Sequence, residues 1–160
     1  MISLTIMKNN FFTKALFTLY LAVLLFILFA RYGENFSPSL ADLPSRFSTS
    51  VNLKPFHTIG SYLKALNNGN VSVSVVKSNL IGNFLLFMPY PLFISAFSKW
   101  KNTFWIITLT ALSVVAVELT QILTGLGSLD VDDFILNVSG AFLAYVLLKP
   151  RRKKEEKDHK

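Results

Sequence analysis

Four apolar runs, each close to the length that crosses a bilayer, constrain this chain more than any other feature of its 160 residues. Inside hydrocarbon a segment has to satisfy its own backbone N–H and C=O groups, so each run has to be helix. The expected fold class is an all-α membrane protein with four transmembrane helices in an antiparallel bundle. The spans lie at about 13–31, 75–97, 103–124 and 132–148, within a membrane domain covering 13–149. Composition agrees: 52% of residues are apolar, fifteen are Phe and only 16% are charged, which is unusual for a soluble domain of this size. Cysteine is absent, which excludes disulfides, thiolate metal sites and a Cys nucleophile.

The formal charge of +7 resembles a nucleic-acid signal until its distribution is considered. From Lys149 to Lys160 there are seven Lys or Arg against three acids, directly after an apolar helix, so the 150–160 tail suits anionic lipid headgroups rather than nucleic acid. Lys8 and Lys14 precede the first apolar run and Lys99 and Lys101 lie in the link at 98–102, whereas the link at 125–132 carries only acids. The positive-inside rule then expects both termini in the cytoplasm of a bacterial cell, with the protein in its cytoplasmic membrane. A cleaved signal peptide is the competing reading of Ala15–Ala30, but no small-residue cleavage pair follows that run.

Residues 32–74 form the one long connection, Ser-rich at first and carrying Pro38 and Pro44. From Pro55 onward, Phe56, Ile59, Leu63 and Leu66 recur at helical spacing, and Asn67-Asn68-Gly69-Asn70 marks the stop. A short helix in the interface plane fits this pattern; a helix that merely caps the other helices fits it equally well. The second span holds Asn79 and Asn83 one turn apart. Pro89 and Pro91 should kink it and free carbonyls near Leu85 and Phe87. In the third span Glu118 and Gln121 share a face, and Gly125 and Gly127 end the helix. The fourth begins at Asp132 and carries Asn137 and a Gly140-x-x-x-Ala144 step that allows close helix packing.

Alternating spans bring Asn79, Asn83, Glu118, Gln121, Asp130, Asp133 and Asn137 to one end, under the long loop, as a candidate ligand pocket. Glu118 lies about 10 Å inside its helix end at a rise of about 1.5 Å per residue. A lone carboxylate there costs about 2.5–3.5 kcal/mol. It should therefore face inward and be neutralised by a proton, by amide donors or by a cation. Asp130 and Asp133 are candidate oxygen ligands for a hard metal ion, and Glu118 is the candidate catalytic acid or base. A plainer reading competes: acids ahead of a helix are favoured by its dipole, and Asp130 with Asp133 approaches a capping box. For Asp132 the two readings are evenly balanced. Asp133 shares a face with Asn137, which turns it toward the bundle interior. His57 reads as a helix-end residue, and no phosphate loop, nucleophile elbow or zinc motif is present.

The order Asn52-Leu53-x-Pro55-Phe56-x-Thr58-Ile59, Asn83-x-Leu85-x-Phe87-x-Pro89, Glu118-x-x-Gln121 and Asp130-x-Asp132-Asp133-x-x-x-Asn137-x-x-Gly140 resembles the VanZ-like family of bacterial membrane proteins. Two positions depart from it: Tyr90-Pro91 stands where the family often has Gly after the proline, and Ser128 where it often has Arg. The resemblance implies a small multi-pass envelope protein associated with low-level resistance to teicoplanin. The convergence of polar groups and the number of carboxylates suggest two candidate functions. One is an outward-facing pocket for a membrane lipid or a lipoglycopeptide. The other is an intramembrane enzyme acting on a lipid-linked headgroup through Glu118 with Asp130 and Asp133.

Overall fold

A computed structural model describes residues 10–29, 40–99 and 102–148. The fold is all-α, with helices α1 (Phe11–Phe29), α2 (Leu43–Thr49), α3 (His57–Asn67), α4 (Val73–Leu86), α5 (Tyr90–Phe97), α6 (Thr103–Thr124) and α7 (Val131–Leu148). Among the described residues, four stretches are long and apolar enough to cross a membrane: α1, the α4–α5 stretch Val73–Phe97, α6 and α7. Phe26, Phe104 and Leu147 are largely exposed and form part of a surface suited to hydrocarbon, so this is a multi-pass membrane protein. Most of the expected N-terminal segment 1–12, Lys101 and the basic tail 150–160 lie outside the described residues.

Local chemistry sets the helix ends. Asn10 caps α1 by accepting the Thr13 N–H at 2.9 Å, and Asn102 caps α6 by accepting that of Phe104 at 2.9 Å. Gly125 ends α6 at φ 73°, a left-handed conformation that costs glycine little. The second span breaks outright where a kink was expected. Pro89 and Pro91 lack N–H groups, so α4 stops at Leu86 and α5 starts at Tyr90. Several of the backbone groups freed there find partners. Met88 N donates to the Leu85 carbonyl at 3.1 Å and Tyr90 N to that of Phe87 at 3.2 Å. The Leu86 carbonyl takes the Tyr20 hydroxyl from α1 at 2.9 Å.

That bond is one of several tying α1 to the rest. Leu24 and Leu28 are buried with Phe87, Val114 and Ala141, and Phe17 packs in tilted ring pairs with Phe93 and Phe97 at centroid separations of 5.1 and 5.3 Å. Helix α1 is therefore part of the folded core. Between α4 and α7 the backbones touch: a Cβ at Gly140 would fall 1.7 Å from the Phe84 carbonyl oxygen. Glycine is required there by contact, as the small-residue step suggested.

The long connection is structured over its described part. Pro44 sits in the first turn of α2, and α3 covers the expected Ile59, Leu63 and Leu66 stripe. Between them lies a two-residue strand, β1 (Val51–Asn52), which pairs in parallel with β2 (Leu129–Asp130) in the α6–α7 turn. Val51 stands opposite Leu129 and Asn52 opposite Asp130.

Gly140→Ala should lower the unfolding midpoint in detergent by the equivalent of about 1–3 kcal/mol, because a backbone oxygen cannot move aside as a side chain can. Gly60→Ala serves as the control: nothing lies within 4 Å of its Cβ position on α3, so the change should be neutral or mildly stabilising.

Candidate functional site

Asp132 is the most completely buried acid described, with 0% of its surface exposed. One carboxylate oxygen accepts the Phe56 N–H at 2.5 Å and the other accepts the Ile59 N–H at 3.0 Å. These N–H groups belong to the unsatisfied first turn of α3, so Asp132 caps a helix far from it in sequence. Phe56 adopts φ 62°, the one positive φ among the described non-glycine residues, and so presents its N–H to that carboxylate. The local-cap reading of Asp132 is thus replaced by a long-range one.

Asp130 has its own set of donors. Oδ1 accepts from Asn52 Nδ2 at 3.1 Å and from the Asp132 N–H at 2.8 Å, while Oδ2 accepts the Thr58 hydroxyl at 2.5 Å. Its backbone N–H donates to Glu118 Oε2 at 3.1 Å. Asp130 therefore caps α7, holds β1 and the start of α3, and links all three to Glu118. With both oxygens engaged it has little capacity left for a metal. Among the described residues no group of three or more His, Cys, Asp and Glu side chains is arranged to hold one.

Beside this lattice lies a cavity of about 420 Å³ between α1, α4, α6 and α7. Asn79, Asn83, Glu118, Gln121, Asp133 and Asn137 all line it, and Asp130 does not. Asn83 donates its amide to Asp133 Oδ1. Gln121 Nε2 donates to the Leu28 carbonyl of α1 at 3.3 Å, and Asn137 Nδ2 to the Asp133 carbonyl at 2.9 Å. The Asn137 Oδ1 atom is buried with no partner. Apolar walls come from Leu28, Leu86, Phe87, Val114 and Val117. Ile27 and Leu85, 48% and 50% exposed, stand at its edge.

Some of this architecture had no marker in the sequence. Arg46 on α2 donates to the Ile122 and Leu123 carbonyls at 3.4 and 3.0 Å, at the C-terminal end of α6, where a cation complements the helix dipole. Its guanidinium lies against Gly125, so a cation from α2 stands at the turn whose Ser128 replaces the arginine common in the resembled family. Asn52 and Thr58 carried a motif without a role; their hydrogen bonds to Asp130 supply one. His57, exposed at the start of α3, takes no part in the cavity.

A family model described as VanZ/LLP1 matches residues 17–152. The chain belongs to the VanZ/LLP1 family. No curated protein and no solved structure matches it. Membership places it among membrane proteins linked to glycopeptide resistance. In this VanZ/LLP1 protein the four separated segments that carried the resemblance are joined by hydrogen bonds: Asn52 and Thr58 to Asp130, Phe56 and Ile59 to Asp132, Asn83 to Asp133, and Asp130 to Glu118.

Asp132→Ala should strand the two N–H groups of α3 at about 1–3 kcal/mol each. Amide hydrogen exchange should accelerate over residues 50–60 while the middle of α6 stays protected; unchanged exchange over 50–60 would refute the long-range cap.

Proposed function

We propose that this VanZ/LLP1 protein sits in the bacterial cytoplasmic membrane with both termini in the cytoplasm. Its polar cavity faces outward and binds an amphipathic envelope molecule, a lipid or a lipoglycopeptide, and so alters susceptibility to teicoplanin. The observation that carries this reading is the cavity's mixed lining: Glu118, Asp133 and Asn137 on one side, Phe87, Val114 and Val117 on the other. A site for an amphiphile needs both kinds of wall. The outward orientation is supported by the charge pattern of the sequence, in which the 125–132 link carries only acids while the 98–102 link and the 150–160 tail are basic.

The alternative of an intramembrane enzyme draws less support. Its metal rationale rested on Asp130 and Asp133 together, and the Asp130 oxygens are taken by Asn52, Thr58 and Asp132. Glu118 retains the chemistry of a proton donor or acceptor, and Ser78 and Asp133 are the candidate nucleophiles in the cavity lining.

In a strain sensitised to teicoplanin, Glu118→Gln and Asp133→Asn should each reduce the protein's effect on the inhibitory concentration at equal protein abundance, and the double variant should abolish it. An effect that persists undiminished in the double variant would remove the cavity from the function.

A further inference from the structure

The cavity is acidic, and among the described residues no cation balances it. Glu118 and Asp133 both line it and interact electrostatically with each other, and no Lys, Arg or His appears in its lining. Each carboxyl has one oxygen tied: Glu118 Oε2 takes the Asp130 N–H and Asp133 Oδ1 takes the Asn83 amide. A third acceptor stands beside them. Asn137 is only 3% exposed, and its Oδ1 has no partner. The orientation of that amide follows from chemistry, because the group facing the Asp133 carbonyl at 2.9 Å has to be the NH₂, so the carbonyl is the group left over.

Three acceptors, two of them carboxyls, in a site walled by Leu, Phe and Val call for a ligand group with several N–H donors and a positive charge. A primary ammonium has three donors and no acceptor. Resting on the reading of the cavity as an amphiphile site, we propose that its ligand is an amphiphile with a primary ammonium head. The ammonium is held by Glu118, Asp133 and the Asn137 carbonyl, and the chain leaves past Ile27 and Leu85. Those two residues are half exposed on neighbouring helices α1 and α4, so an acyl chain passing between them would stay in hydrocarbon. A quaternary ammonium carries the same charge but no N–H, and would leave all three acceptors unmet.

The test uses the full chain purified in neutral detergent, with dodecylammonium, dodecyltrimethylammonium and dodecanol as chain-matched probes and ethylammonium as the chainless one. Dodecylammonium should bind about tenfold tighter than dodecyltrimethylammonium, and the preference should vanish in Glu118→Gln or Asp133→Asn while dodecanol binding is kept, which also shows that the variants are folded. Equal binding of all three chain-matched probes overturns the ammonium assignment and leaves the amphiphile site standing. Binding of none of them overturns both. Ethylammonium binding as tightly as dodecylammonium overturns the chain path. Acyl-matched phosphatidylethanolamine and phosphatidylcholine separate the sources. A preference for phosphatidylethanolamine supports a lipid headgroup, and equal affinity alongside a dodecylammonium preference supports a free amphiphilic amine.

Discussion

A carboxylate with no exposed surface has to be met by donors or it destabilises the fold that contains it, and Asp132 is in that position. Its donors are the Phe56 and Ile59 N–H groups. They are available because Phe56 takes a left-handed conformation and because a helix start leaves its first N–H groups bare. Two costs, a buried charge and an uncapped helix, thus cancel each other. The path of the long loop follows from this pairing. Once α3 is anchored on Asp132, Thr58 and Asn52 fall on Asp130, and β1 lies beside β2.

The polar groups at this end of the helices fall into two populations. Both oxygens of Asp130 and of Asp132 are engaged by protein donors, which makes these two acids architectural even though a count of carboxylates places them with the rest. Glu118, Asp133 and Asn137 keep acceptor capacity on the side of the cavity. Glu118 belongs to both groups, since one oxygen holds the Asp130 N–H and so couples the cavity wall to the loop lattice. Any group that binds at Glu118 is therefore one hydrogen bond away from the residues that hold the loop in place.

The spans were legible in the sequence because run length and apolarity are local properties that a bilayer enforces. The gathering of Asn79, Asn83, Glu118, Gln121, Asp133 and Asn137 around one cavity was legible as well, since each residue's place along its helix sets its depth. Depth does not determine partners. Asp130 has the right depth but turns away from the cavity toward Asn52 and Thr58, because those donors come from a loop whose course no periodicity encodes. The role of Arg46 at the end of α6, the two-residue parallel pairing and the Tyr20 bond to Leu86 are likewise contacts between distant segments. A break rather than a kink at Pro89 and Pro91 reflects two prolines acting together where one would bend a continuous helix.

The parallel pairing of β1 with β2 also bears on biogenesis. Its strands are separated by nearly half the chain, and the aspartates that organise the loop lie at the threshold of α7, which is made after every other described helix. Until that span has been made, α3 lacks its Asp132 cap and β1 lacks its partner strand. The loop can therefore close only after α7 has been made and inserted.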